Sequence, residues 1–135
     1  MRVFVDTNVW LSGLMGHGLC ADLVSAWVGA GVEMVLDERV RAEFFRIAET
    51  RFRANAQQLA LAEDFFGEAC IMAPAAQAPV PGIPDPDDAW IIAAALDAKA
   101  EGFVTGDKAL LDLGQHEGMP ILSPRAAYQR LRGLV

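Results

Sequence analysis

The sequence predicts an α/β domain with three layers (α/β/α), in which helices cover both faces of a mainly parallel central sheet. Short β-rich segments alternate with helical segments along the whole chain, a pattern typical of parallel strands joined through helices. Of the 135 residues, 53% are hydrophobic and 21% are charged, as in globular proteins. The Pro/Gly-rich connector 75–84 is too short for a domain linker, so we expect residues 1–135 to form a single domain.

Five segments are predicted as strands because they are short, apolar and rich in β-branched or aromatic residues. In chain order they cover residues 2–6, 32–36, 70–74, 102–107 and 120–123. The first of them ends at Asp6, and the fourth runs into a turn that ends at Asp107.

Seven segments between and after these strands are predicted as helices. In chain order they cover residues 8–18, 19–31, 37–53, 55–69, 86–99, 108–114 and 124–134. Asp37 and Asn55 are the expected N-caps of the third and fourth helices, and Pro124 fits the first turn of the last one. The second helix is expected to stop at Gly29 and Gly31.

Charge and cysteine usage limit the class of protein. The net charge of −7 argues against a nucleic-acid-binding protein, which normally carries a basic face. Two bound divalent cations would reduce it to about −3, so RNA stays open as a partner. Cys20 and Cys70 have no metal-binding spacing and are expected to be free core residues in a reducing compartment.

The sequence also predicts where the protein resides and how it assembles. The N-terminus has no long apolar segment, and no run approaches the ~20 apolar residues of a membrane span, so we expect a cytoplasmic protein without membrane contact. The high hydrophobic fraction for a chain of this size favours an oligomer, most simply a homodimer.

Asp6 and Asp107 are the first candidates for a functional site. Each follows a predicted strand, and functional groups gather at the carboxyl ends of the strands in parallel sheets. Taken singly, Asp6 could be a helix N-cap and Asp107 a turn residue. Two such acids at one sheet edge predict a site.

Glu43 is the third candidate, because it falls on the expected buried stripe of helix 37–53. That stripe comprises Leu36, Val40, Glu43 and Ile47, while Arg39, Arg46 and Arg53 are expected on other faces. A carboxylate in a core is costly unless it is paired or binds a cation. The alternative is a glutamate at the edge of the stripe that reaches solvent or a nearby arginine.

The stretch "PDPDDAW" places three acids at the start of helix 86–99, and helical geometry separates them. Asp88 lies about half a turn from the polar position Asp97, so it is predicted to point inward. Asp87 is predicted to face water. Asp85 precedes Pro86 and is the expected N-cap.

Four carboxylates are thus predicted at one edge of the sheet, on Asp6, Glu43, Asp88 and Asp107. Their mutual repulsion would keep some of them protonated unless cations lie between them. Oxygen ligands without His or Cys favour Mg²⁺ or Mn²⁺, which engage phosphates. The chemistry indicated is metal-dependent phosphodiester hydrolysis.

With these residues, the chain resembles the PIN-domain family, in particular its small prokaryotic VapC-like toxins. The matching segments are "VFVDTNVWLSGL", Glu43 in "DERVRAEFFRI", Asp88 in "DPDDAWIIAAAL" and "GFVTGDKALLDL". They occur in the family's order between residue 2 and about residue 123.

The resemblance implies a PIN fold, a ribonuclease that uses one or two Mg²⁺ or Mn²⁺ ions, an antitoxin partner that covers the site, and frequent dimerisation. Carried over by position, the catalytic and metal-binding acids are Asp6, Glu43, Asp88 and Asp107. Asn8 and Thr105 would orient them by hydrogen bonding. Arg41, Arg46 and Lys108 are suggested contacts for RNA phosphates.

Two other readings remain open. One is a PIN-like module that binds RNA or protein without catalysis, although all four acids are present. A phosphoacceptor receiver domain is the other, but it needs an acidic pair after the first strand and a lysine near the last one. Among the remaining residues, His17 and His116 are expected in solvated turns, and Trp10, Trp27 and Trp90 in the core or an interface.

Overall fold

The computed structural model describes residues 1–133, which form a six-stranded sheet flanked by helices. The strands are β1 (Arg2–Val5), β2 (Glu33–Leu36), β3 (Cys70–Met72), β4 (Gly102–Val104), β5 (Gln115–His116) and β6 (Met119–Leu122). The helices are α1 (Thr7–Met15), α2 (Leu19–Ala30), α3 (Glu38–Thr50), α4 (Ala56–Ala69), α5 (Pro86–Asp97), α6 (Lys108–Leu111) and α7 (Pro124–Leu131).

The strand order is β3-β2-β1-β4-β6-β5, and all neighbours are parallel except β5 and β6. The chain builds outward from β1 to β2 and β3, then returns to place β4 on the other side of β1. The order therefore reverses between β1 and β4. Crevices at such a reversal, outside the carboxyl ends of the strands, are where α/β sheets bind their ligands.

Both faces of the central strands are buried, which confirms the predicted three-layer α/β/α fold. Successive residues of β1 and β4 point to opposite faces, yet Phe4, Val5, Phe103 and Val104 are each fully covered. The rings of Phe4 and Phe103 stack across the β1–β4 pair at 5.6 Å.

An aromatic cluster joins the helices on one side of the sheet. It comprises Trp10, Phe44, Phe45, Phe65 and Phe66, whose rings meet edge to face. Trp10 and Trp27 lie in the core, whereas Trp90 is half-buried. None of the helices in residues 1–133 is long and apolar enough to span a membrane.

The predicted helix caps are confirmed. Asp37 accepts from the Val40 N–H at 3.0 Å, and Asn55 forms a reciprocal capping box with Gln58. Asp85 caps α5 ahead of Pro86.

Several predicted boundaries are wrong. Gly29 lies inside α2, and Gly31 alone ends it, in the left-handed conformation with φ of 71°. Helix α3 ends at Thr50 rather than at residue 53. Helix α7 ends at Leu131, and Leu134 of the predicted span lies outside the described residues.

The short hairpin β5–β6 was not predicted, and it moves His116 out of a turn. Glu117 and Gly118 both have positive φ, the conformation that a two-residue hairpin loop requires. His116 therefore sits in β5 with its side chain only 17% exposed, so the expectation of a solvated turn residue is wrong for it. The other expected turn histidine, His17, is exposed.

Candidate active site

A cleft opens at the carboxyl ends of β1 and β4, where the strand order reverses. Its main part has a volume of about 500 Å³ and includes all four predicted acids, Asp6, Glu43, Asp88 and Asp107, in its lining. A side arm of about 190 Å³ is lined by the first three of these, with Arg39 and Asp87. The fold thus brings together carboxylates from positions 6 to 107 of the chain.

Asp6 is held rigidly at the floor of this cleft. Its N–H donates to the Val104 carbonyl at 2.9 Å, which continues the β1–β4 pairing beyond the strand end. Its Oδ1 accepts from the Thr7 N–H at 2.8 Å and so caps α1. Its Oδ2 accepts from Thr105 Oγ1 at 2.8 Å and, more weakly, from Asn8 Nδ2 at 3.4 Å. Asp6 is therefore the N-cap of α1, as the alternative interpretation expected, and it also lines the cleft.

Asn8 and Thr105 tie the start of α1 to the loop that follows β4. Thr105 Oγ1 accepts from the Asp107 N–H at 3.0 Å while it donates to Asp6, so one hydroxyl links two of the acids. Asn8 Oδ1 accepts from the Gly106 N–H at 2.9 Å. A Cβ at residue 106 would lie 3.2 Å from that oxygen, so glycine permits the close approach.

Glu43 is placed differently from its prediction. The buried stripe of α3 is Val40, Phe44 and Ala48, and Glu43 lies half-buried at its edge, on the side that faces the cleft. The prediction of a core stripe through Glu43 is therefore wrong. The alternative of an edge position is correct, but Glu43 forms no ion pair with an arginine of residues 1–133.

The three acids at the start of α5 separate as predicted. Asp85 is exposed and accepts from the Asp87 N–H at 2.9 Å. Asp87 is 83% exposed and lies 3.9 Å from Arg39 at the rim of the side arm. Asp88 is half-buried and lines both parts of the cleft.

Burial and mutual repulsion shift the titration of two of these acids. Burial raises the pKa of Asp6 from 3.8 to about 6, against the opposing effect of its hydrogen bonds from Thr105 and Thr7. Partial burial and the neighbouring acids, Asp6 first, raise the pKa of Asp88 to about 7. Each would ionise more readily with a positive charge in the cleft.

The carboxylates share the cleft but do not form a ready-made cation cage. Within residues 1–133, no three His, Cys, Asp or Glu side chains are close enough together to hold a metal ion. The donor set itself fits a divalent cation, since it consists of carboxylate oxygens that line one cleft, and burial together with neighbouring acids raises the pKa of two of them, Asp6 and Asp88.

The suggested RNA contacts are mostly engaged elsewhere. Arg41 pairs with Glu63 and Glu38, and Lys108 lies 3.3 Å from Asp112. Neither of them lines the cleft, and nor does Arg46, which is exposed.

Arg39 and Arg51 line the cleft instead. The prediction that Arg39 takes another face of α3 is wrong. The spacing contained a signal for it, since Arg39 lies four residues before Glu43 and so shares its face.

Comparison with known proteins finds one matching family and similar solved folds. The sequence model for the PIN domain matches residues 2–109. The fold is similar to a chain in the structure of VapBC2 from Rickettsia felis, which was solved bound to a DNA fragment from the VapBC2 promoter. The TM-score is 0.65 and the sequence identity is 12%, and the match covers 91% of this chain and 98% of that one. It is also similar to the PIN domain endonuclease Utp24, with a TM-score of 0.55 and 18% identity over 90% of this chain and 84% of that one. A comparison with curated proteins finds no match.

Proposed function

This chain belongs to the PIN domain family, and on that premise we propose that it is an endoribonuclease that hydrolyses RNA phosphodiester bonds with Mg²⁺ or Mn²⁺. The observation that carries the proposal is the single cleft lined by Asp6, Glu43, Asp88 and Asp107 at the reversal of the strand order. A non-catalytic module would have no need to keep four carboxylates in one crevice, where they repel one another.

The chain's own residues would divide the work of the site. Asp6, Glu43, Asp88 and Asp107 would hold one or two ions, whose charge would activate water and stabilise the leaving oxygen. Thr105 and Asn8 keep the Asp6 carboxylate in a fixed orientation by the hydrogen bonds described above. Carboxylates held this way lose little freedom when a cation binds.

The cleft also offers positive charge for the substrate. Arg39 lies at the side arm and Arg51 at the main part, so arginines flank the acids on both parts of the cleft. RNA phosphates on either side of the scissile bond could pair with them despite the overall charge of −7.

We further propose that the chain is the toxin of a type II toxin–antitoxin pair, active in the cytoplasm as a homodimer and inhibited by an antitoxin protein that covers the cleft. The segments that resemble VapC-like toxins support this, as does a fold that covers 98% of a VapBC2 chain. Expression should arrest growth, and co-expression of the adjacent reading frame should restore it. Unimpaired growth on expression of the active nuclease would remove the toxin role and leave the nuclease.

The deciding experiment is cleavage of a pool of single-stranded oligoribonucleotides with Mg²⁺ or Mn²⁺. Asp6→Asn and EDTA should each abolish cleavage, whereas Asp85→Asn, which changes an exposed cap to another good cap, should not. Cleavage that survives EDTA and Asp6→Asn would overturn the metal mechanism. A folded chain that binds RNA with either ion but never cleaves it would support the binding-module alternative.

A further inference from the structure

Phe52 is an aromatic side chain exposed at the catalytic cleft. It is 49% exposed, and it is the only exposed phenylalanine or tryptophan in the described part of the chain. It lines the main part of the cleft, next to Arg51 and in the same concavity as the four acids. The exposed ring gives this concavity a flat apolar face beside charged side chains, and a ligand with an aromatic face can stack on it.

The backbone presents this ring in a fixed turn at the end of α3. The N–H groups of Arg51 and Phe52 both donate to the Ile47 carbonyl, at 2.8 and 3.3 Å, and the Ala54 N–H donates to the Ala48 carbonyl at 3.0 Å. Arg53 has a φ of 52°, a left-handed conformation that is uncommon for a residue other than glycine. The turn is therefore tightly specified.

Arg51 supplies the second part of a nucleotide site. It forms no ion pair within 4.0 Å with any residue in the described range, unlike Arg39 and Arg41. Its charge is thus free for a phosphate, beside a ring that offers a flat apolar face. Stacking on an aromatic ring with an arginine nearby is the way proteins hold unpaired bases, and it cannot be used by a base already stacked in a duplex.

Resting on the ribonuclease function proposed above, we propose that Phe52 and Arg51 form a nucleotide subsite of the cleft. In this subsite Phe52 stacks on an unpaired base of the substrate and Arg51 binds a neighbouring phosphate. The base bound at Phe52 is therefore unpaired. The cleft volume of about 500 Å³ lies within the range of small-ligand sites and accommodates a nucleotide beside the acids.

The first test measures binding without cleavage, in the Asp6→Asn background with Mg²⁺. The probe is a short unstructured RNA with 2-aminopurine, whose fluorescence is quenched on stacking. Phe52→Ala should weaken binding about tenfold and remove the quenching, and Phe52→Trp should preserve both. Leu61→Ala, which truncates an apolar side chain 62% exposed outside the cleft, is the matched control and should bind normally. A duplex of the same sequence should show no dependence on Phe52.

The second test measures salt dependence and cleavage. Arg51→Gln should reduce the slope of log affinity against log salt by about one. Arg132→Gln, at the residue that follows helix α7 and outside the cleft lining, should not. With Asp6 intact, Phe52→Ala should raise KM about tenfold, with a smaller effect on kcat, and Phe52→Trp should restore KM.

Different results overturn the subsite and the nuclease. If the intact chain cleaves RNA and Phe52→Ala binds and cleaves it equally well, the subsite is wrong and the nuclease stands. If the intact chain cleaves nothing while Phe52-dependent quenching persists, the nuclease is wrong and the subsite stands. A change in oligomeric state in Phe52→Ala, with RNA binding intact, would assign this ring to an interface between copies and overturn the subsite.

Discussion

Replacing Asp6 by asparagine should stabilise the metal-free protein at neutral pH, although it should abolish the proposed activity. Asp6 is only 6% exposed, and burial raises its pKa from 3.8 to about 6. Between pH 3.8 and about pH 6, the Asp6 carboxyl keeps its proton in the folded protein and loses it in the unfolded chain. The stability from this group is therefore present below about pH 4 and is lost as the pH rises through about 6.

The size of the effect follows from the same values. A rise from 3.8 to about 6 corresponds to about 3 kcal/mol, at 1.36 kcal/mol per pKa unit. Asparagine carries no charge and can still accept from the Thr7 N–H. Its amide NH2 group, however, replaces the oxygen that accepts from Thr105 Oγ1 and Asn8 Nδ2, which offsets part of the gain. The free energy of unfolding of Asp6→Asn minus that of the natural chain should rise between pH 4 and pH 8. We expect this rise to be about 1–3 kcal/mol.

The assay is urea unfolding across this pH range with EDTA present, followed by tryptophan fluorescence, since Trp10 and Trp27 are buried. Asp85→Asn removes the same charge at an exposed cap and is the control. The pH-dependent gain of Asp6→Asn should exceed that of the control. A difference between Asp6→Asn and the natural chain that stays constant from pH 4 to pH 8 would refute the reasoning.

Three further predictions concern the same cleft. Mn²⁺ or Mg²⁺ should raise the unfolding temperature of the natural chain more at pH 8 than at pH 5, and it should raise that of Asp6→Asn much less. An equal rise in the natural chain and in Asp6→Asn would show that the ion binds elsewhere. Asp88→Asn should abolish cleavage, while Asp85→Asn should be nearly silent; equal losses in a cleavage assay would mean that the helical phase of α5 is misassigned. Thr105→Val should destabilise the chain by about 1–3 kcal/mol and reduce kcat, because it removes the hydroxyl that donates to the Asp6 carboxylate and accepts from the Asp107 N–H. Thr105→Ser should retain both stability and kcat, as measured by thermal melts and single-turnover kinetics.

The sequence alone predicts the position of a residue where the regular geometry of one helix or of a parallel sheet determines it. Asp6 and Asp107 were placed together because carboxyl ends of parallel strands share one edge, and that rule needs only the strand order in sequence. Asp88 was separated from Asp85 and Asp87 by helical phase alone. Local cap chemistry identified the start of α3 and α4.

Where neighbouring elements decide, the sequence was not sufficient. In α3, Val40 belongs to two possible stripes, and only the packing of Phe44 against the aromatic cluster selects the one that leaves Glu43 at the edge. The position of Phe52 depends on the turn that follows α3, in which Arg53 has a left-handed conformation. No periodic pattern in the sequence predicts that turn. Strand β5 has two residues, too few to give a periodic signal.

The pairing of β1 with β4 also governs when the cleft can exist during synthesis. Asp6 is fixed by the Val104 carbonyl and the Thr105 hydroxyl, about a hundred positions further along the chain. Parallel strands so far apart pair late, since the intervening chain must first be ordered. An emerging polypeptide that stops before residue 102 carries Asp6, Glu43 and Asp88 but lacks the strand that brings the first of them into position. The proposed ribonuclease site is therefore incomplete until the last quarter of the chain has been synthesised and has folded.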